Sequence, residues 1–283
     1  MFCKALTGAI GSDRPFYIIN PHGLEGEAIP PTLESMAADR LKWIGEVQPH
    51  GPYIVGGYCH GALLAHHIAR SLRDAGEPVT VVLMLCADGS NVRFRFLRRL
   101  IALHGALREE NAPAQRRRFL RIRNRICDLD AMRCYYLTAA AELWRQPVGV
   151  QITRIWRKTR RILRRLSPAA LKNLVQNFGS SCAEPALPRH KEAIVNAYED
   201  IVQDYIPVPS DSPTCLFWPV NEPPATRRGP ACGWKQICAR VQLVDVPGDH
   251  TSCVSETENV AQIGDAMRKS IQQAESLLTK TLP

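Results

Sequence analysis

A chain of 283 residues with 45% apolar side chains is long enough to bury one large core or two small ones. It has no run of about 18 apolar residues and no amino-terminal segment of signal-peptide form, which argues against a helical membrane protein and predicts a soluble, cytoplasmic one. The ten cysteines include no C-x-x-C pair and no Cys/His spacing of the zinc kind. Neither a disulfide framework nor a metal site is therefore expected, and most of the thiols read as reduced core residues.

The opening MFCKALTGAIGSDR carries only a short, glycine-broken apolar patch. PFYIIN (15–20) reads as a first strand. TLESMAADRLKWIGE (32–46) then repeats Leu33, Met36, Ala37, Leu41 and Ile44 at helical spacing, with Thr32 and Ser35 as a weak capping box. PYIVGG (52–57) predicts a strand. Residues 60–75 predict a helix, with Leu64, Ile68 and Leu72 at four-residue steps and Gly76 just past its end. VTVVLML (79–85), TCLFWPV (214–220) and VQLVDVP (241–247) predict three further strands, and 261–278 a closing helix. Strands alternating with helices across short turns predict an α/β fold with a mostly parallel sheet covered on both faces.

The stretch from 91 to 206 breaks that rhythm. Between Asn91 and Lys172 stand 21 Lys and Arg against 5 Asp and Glu, leaving 15 basic and 22 acidic residues elsewhere, so the net +9 is concentrated in the middle. Its patterns RFLRRLIALHG, QRRRFLRIRNRI and ITRIWRKTRRILRRL are helical. The expectation is a large basic helical insertion over one end of the sheet, dividing the core into residues 1–90 and 207–283. Arginines at such spacing line solvated helix faces, and they also attract an acidic partner. Leu97, Leu100, Leu103, Phe119 and Ile122 are expected to pack within the insertion. No helix-turn-helix, zinc finger or aromatic-basic interleaving supports nucleic acid as the partner, and no membrane contact is expected.

GGYCHGALLAHH (56–67) sets Cys59 between Gly57 and Gly61, after a β-run and before an amphipathic helix. That is the G-x-nucleophile-x-G arrangement in the strand–turn–helix context it requires. Taken alone, Cys59 is equally readable as a buried thiol in a glycine-rich turn. As a nucleophile it would have the backbone amide of His60 as one oxyanion donor, at a helix amino terminus that favours a thiolate. His66 and His67, further along the helix, read as structural. DVPGDHTSCV places His250 on a loop after the last strand. It could be an ordinary surface histidine, but the order nucleophile, acid, histidine is that of an α/β-hydrolase triad.

These residues, together with INPHGLEGE (19–27), VQPHGPYIVGGYCHGALLAHHIARSLRDAGEPV (47–79), NAYEDIVQDYIPVPSDSPTCLFWP (196–219) and GWKQICARVQLVDVPGDHTSCV (233–254), resemble the thioesterase domains of nonribosomal peptide synthetases and polyketide synthases. The resemblance implies an α/β-hydrolase with a helical lid. It also implies release of an acyl or peptidyl chain from the phosphopantetheine of an acidic carrier protein by hydrolysis, cyclisation or aminolysis, with no cofactor of the enzyme's own. In this chain Cys59 stands where the family has serine, making the acyl-enzyme a thioester. The family's acid position falls near Cys86, so Asp88, two residues on, is the first candidate to orient His250, and Glu222 is the alternative. The first residues resemble the helix after the family's oxyanion loop, which leaves the first strand of the family unmatched. Two other readings stay open: a free-standing esterase-like hydrolase, and a non-catalytic carrier-binding module.

Overall fold

The computed structural model describes residues 2–145, 189–222 and 230–281. Four strands, β1 (Tyr53–Tyr58), β2 (Val79–Leu85), β3 (Thr214–Pro219) and β4 (Val241–Val246), form one parallel sheet in the order β1-β2-β3-β4. All seven residues of β2 are buried, which is why its sequence is apolar but for Thr80. A central parallel strand covered on both faces has no solvent side to alternate with.

The alternation appears instead in which layer each side chain meets. Val82, Met84, Leu216 and Trp218 share a core with Leu33 and Ala37 of α2 (Leu33–Val47) and Leu63 and Ile68 of α3 (His60–Asp74). Val81, Leu83, Leu85, Cys215 and Phe217 face the opposite layer. That layer is built by Leu6 and Ile10 of α1 (Phe2–Ile10) and by Val260, Ile263 and Met267 of the closing helix Thr257–Thr281. Each large apolar side chain so buried contributes about 1.5–3 kcal/mol. The two-sided α/β architecture expected from the sequence is the one observed.

The α2 start is sharper than its sequence suggested. Thr32 Oγ1 accepts from the Ser35 amide and Ser35 Oγ accepts from the Thr32 amide, completing a capping box. The strand expected at 15–20 is absent. Phe16, Tyr17, Ile18 and Ile19 form no ladder and are exposed: the sheet of described strands begins at β1, and this segment does not pair with its outer edge. Propensity alone does not make a strand without a partner.

Residues Met1–Arg123 with Ala193–Pro283 make one compact unit, and Asn124–Glu192 make another. The first contains α4 (Arg95–Leu107), the start of α5 (Ala112–Trp144) and most of α6 (Arg189–Asp204). Part of its basic charge is neutralised internally: Arg98 and Arg116 both reach Asp204, at 2.7 and 3.1 Å, and Arg118 reaches Glu110 at 2.5 Å. Arg99, Arg108, Arg117 and Arg121 are exposed. Phe119 is fully buried, edge-on to Phe94 and beneath the Arg98 guanidinium, whereas Leu100 and Leu103, expected to pack, are exposed. In the second unit α5 continues with the rings of Tyr135 and Tyr136 in edge contact. The helices expected in ITRIWRKTRRILRRL (152–166) lie outside the described residues. No described helix is long and apolar enough to cross a membrane.

Candidate active site

All four strands run the same way, so their carboxyl ends meet along one edge of the sheet. There the Cys59 amide donates to the Leu85 carbonyl at 2.9 Å, the Cys86 amide to the Phe217 carbonyl at 3.0 Å, and the Val220 amide to the Val246 carbonyl at 2.9 Å. Cys59, Cys86, Glu222 and His250 all follow these ends directly. In a parallel α/β sheet this is the edge where ligand sites form.

Cys59 itself sits at φ 54°, ψ −121°, a left-handed conformation strongly disfavoured for a residue with a Cβ. Holding it costs about 1–3 kcal/mol, which the surrounding strand and helix must supply. The two glycines of the motif are not equivalent. A Cβ on Gly57 would stand 2.2 Å from the Gly61 carbonyl oxygen and 2.6 Å from the Ala62 nitrogen, whereas a Cβ on Gly61 would meet nothing within 4 Å. Gly57 is therefore what lets the first turn of α3 fold back against β1. Because α3 begins at His60, the His60 amide is one of the first-turn donors that no helix carbonyl can satisfy. The His60 imidazole is held below its ordinary pKa by burial; Glu199 opposes that shift and nearby His250 adds to it.

His250 is fixed through its main chain. Tyr58, the residue before Cys59, donates its hydroxyl to the His250 carbonyl at 2.6 Å, and the Tyr58 and His250 rings lie 5.1 Å apart. The His250 amide donates to Glu222 Oε1 at 2.5 Å. The turn holding it is closed by Asp249, whose carboxylate accepts from the amides of Thr251 and Ser252 and is thereby held below the usual carboxylate range.

The two candidate acids fall in different places. Asp88 is exposed and accepts from the Ser90 amide at 2.8 Å and the Ser90 hydroxyl at 2.9 Å, a local loop cap. Glu222 lies at the His250 turn, its Oε1 accepting from the His250 main-chain amide. Cys86, at the position before this loop, is also left-handed, with φ 56°, and its Sγ lies 3.6 Å from that of Cys253. Cys253 in turn donates to the His250 carbonyl at 3.3 Å. Hydrogen bonding to Cys253, with burial behind it, raises the Cys86 thiol. Tyr58 and Cys253 were not singled out by the sequence. The one available signal was position: Tyr58 adjoins the nucleophile turn, and Cys253 lies three residues from the histidine. Among the described residues no cluster of three or more His, Cys, Asp or Glu could hold a metal ion.

The protein-family model described as Thioesterase domain matches residues 4–94, a segment that contains the elbow and Asp88 but not Glu222 or His250. Indigoidine synthase of Streptomyces lavendulae is 36% identical over 94 residues, which is 33% of this chain; the chain spans only 7% of that relative's length. Among solved structures, the four-domain nonribosomal peptide synthetase holo-AB3403, bound to AMP and glycine, superposes with a TM-score of 0.54 at 22% identity, over 95% of this chain and 18% of that one. The Vlm2 thioesterase domain carrying 2,3-diaminopropionic acid and a dodecadepsipeptide superposes with a TM-score of 0.50 at 15% identity, over 95% of this chain and 87% of that one. The chain thus matches the Thioesterase domain model over residues 4–94 and has a fold like that of the Vlm2 thioesterase domain.

Proposed function

We propose that this protein is a cysteine-nucleophile thioesterase that releases an acyl or peptidyl chain from the phosphopantetheine of a carrier protein. The observation that carries the reading is Cys59: a strained, left-handed residue between β1 and α3, immediately after the tyrosine that grips His250. In this reading His250 takes the Cys59 proton as the sulfur attacks the carrier thioester. The His60 amide donates to the oxyanion, and the carrier thiol leaves with the proton returned by His250. The acyl group is then a protein thioester, nearly isoenergetic with the carrier thioester and still strongly acylating. This suits capture by an amine or ring closure as well as by water. Glu222 is proposed as the acid because it lies at the His250 turn, where it accepts from the His250 main-chain amide, whereas Asp88 is engaged by Ser90.

The carrier is proposed to be acidic and to be drawn to the exposed arginines of α4 and α5, and the basic segment 91–206 to act as the lid, in a cytoplasmic protein. The decisive experiment is intact-mass spectrometry after incubation with an acyl-pantetheine thioester. One acyl mass on Cys59, absent from Cys59→Ala, is the expected result. An unmodified Cys59 with substrate consumed no faster than in buffer would sink the enzyme reading and leave a carrier-binding module.

A further inference from the structure

The proposed chemistry gives no role to the paired thiols behind the histidine turn. Cys86 closes β2, and Cys253 lies in the short helix α7 (Ser252–Ser255) that follows His250. Their sulfurs stand 3.6 Å apart, with Cys86 6% exposed and Cys253 fully buried. The thiols are linked in series: they share a hydrogen bond, and Cys253 Sγ donates onward to the His250 carbonyl. The rest of the turn is held by the Tyr58 hydroxyl, by Glu222 and by the Asp249 carboxylate. A disulfide needs sulfurs about 2.05 Å apart, so closing this pair asks for an approach of roughly 1.5 Å. That is within reach of side-chain rotation and a small shift of the turn.

We propose that Cys86 and Cys253 are an oxidative modification site: hydrogen peroxide converts them to a disulfide, reversible by thiols, that clamps the His250 turn to the end of β2. In the first step the Cys253 sulfur gives an electron pair to one peroxide oxygen. The O–O bond breaks, and the departing hydroxide takes up the Cys253 proton as water, leaving a sulfenic acid. The Cys86 sulfur then attacks the Cys253 sulfur. The S–S bond forms, the S–O bond breaks, and the second hydroxyl leaves as water with the Cys86 proton. Two thiols and one peroxide give one disulfide and two waters. A monothiol such as glutathione reverses it through a mixed disulfide, its two equivalents leaving as glutathione disulfide. The hydrogen bond that keeps Cys86 protonated leaves Cys253 with the lowered pKa, consistent with Cys253 reacting first.

The site does not depend on Cys59 being a nucleophile, and its test reads no activity. Trypsin separates the relevant cysteines cleanly: peptide 43–70 carries only Cys59, 74–93 only Cys86, and 241–268 only Cys253. The full chain and its Cys59→Ser variant are treated with hydrogen peroxide, then unfolded in urea with iodoacetamide to block every remaining thiol, and digested without reductant. The expected result is a species joining 74–93 to 241–268 in both proteins, lost on adding dithiothreitol and absent from Cys253→Ala or, should that variant fold poorly, Cys253→Ser. Amide exchange over 249–255 slows at least several-fold in the oxidised Cys59→Ser chain and is unchanged by peroxide in the Cys253 variant. Linkage of 74–93 to 43–70 instead would overturn the proposal. So would Cys86 and Cys253 both remaining open to iodoacetamide at doses that convert exposed cysteines to sulfenic acids.

Discussion

The Tyr58 hydroxyl donates to the His250 main-chain carbonyl at 2.6 Å, so the residue just before Cys59 holds the loop that carries His250. Removing that one oxygen keeps the ring contact at 5.1 Å and leaves the carbonyl with the weaker Cys253 thiol donor. Tyr58→Phe is expected to lower kcat about ten-fold with KM little changed, the signature of a misplaced base rather than of lost substrate contacts. Steady-state kinetics on an acyl-pantetheine thioester measure both; a change confined to KM would contradict the positioning role.

Glu222 and Asp88 are told apart by removing charge without removing shape. Glu222→Gln keeps an acceptor for the His250 main-chain amide and removes only the negative charge, so on the proposed role of Glu222 as the acid kcat/KM is expected to fall by about ten-fold or more. Asp88→Asn keeps an acceptor for Ser90 and is expected to leave kcat/KM within about two-fold. The opposite ranking would return Asp88 to the role of acid.

Gly57 and Gly61 predict opposite outcomes for one added methyl. Gly57→Ala drives a Cβ into backbone at 2.2 Å, so a destabilisation of about 3 kcal/mol or more, or failure to fold, is expected from denaturant unfolding. Gly61→Ala enters open space on a helix and is expected to stabilise by about 0.5–1 kcal/mol.

His66 sets an acid limit on stability. It is fully buried, with Nε2 donating to the Val208 carbonyl at 2.9 Å and its ring edge-on to Trp234, and burial drives its pKa from 6.5 down to about 4. Between those values the unfolded chain binds a proton that the folded chain refuses. The stability associated with neutral His66 is therefore complete above pH 6.5 and declines as pH falls toward 4, by about 3 kcal/mol in all. Urea unfolding of wild type and His66→Gln across this range checks it: the drop should be shallower in the variant.

Much of this fold is legible in the sequence, for a local reason. Runs such as VTVVLML and the spaced Leu64, Ile68 and Leu72 state their own burial, and β2 and α3 formed where they were expected. PFYIIN is also rich in β-formers but pairs with no strand, and a ladder needs two. The elbow could be read because motif and context are contiguous, whereas the ties around His250 join residues far apart in the chain. Tyr58 to His250 spans 192 positions and Cys86 to Cys253 spans 167, distances that no local pattern encodes.

β2 has one further consequence, which concerns how the chain is made. Its partner β1 precedes it closely, but β3 follows by about 130 residues, most of them in the basic segment. At about 5–20 residues per second a nascent chain would hold a wholly buried-type strand with one open edge for roughly ten seconds before Thr214–Pro219 arrives. During synthesis such an open edge is an aggregation hazard of the kind that flanking like charges oppose, and the stretch that emerges after it is rich in arginine.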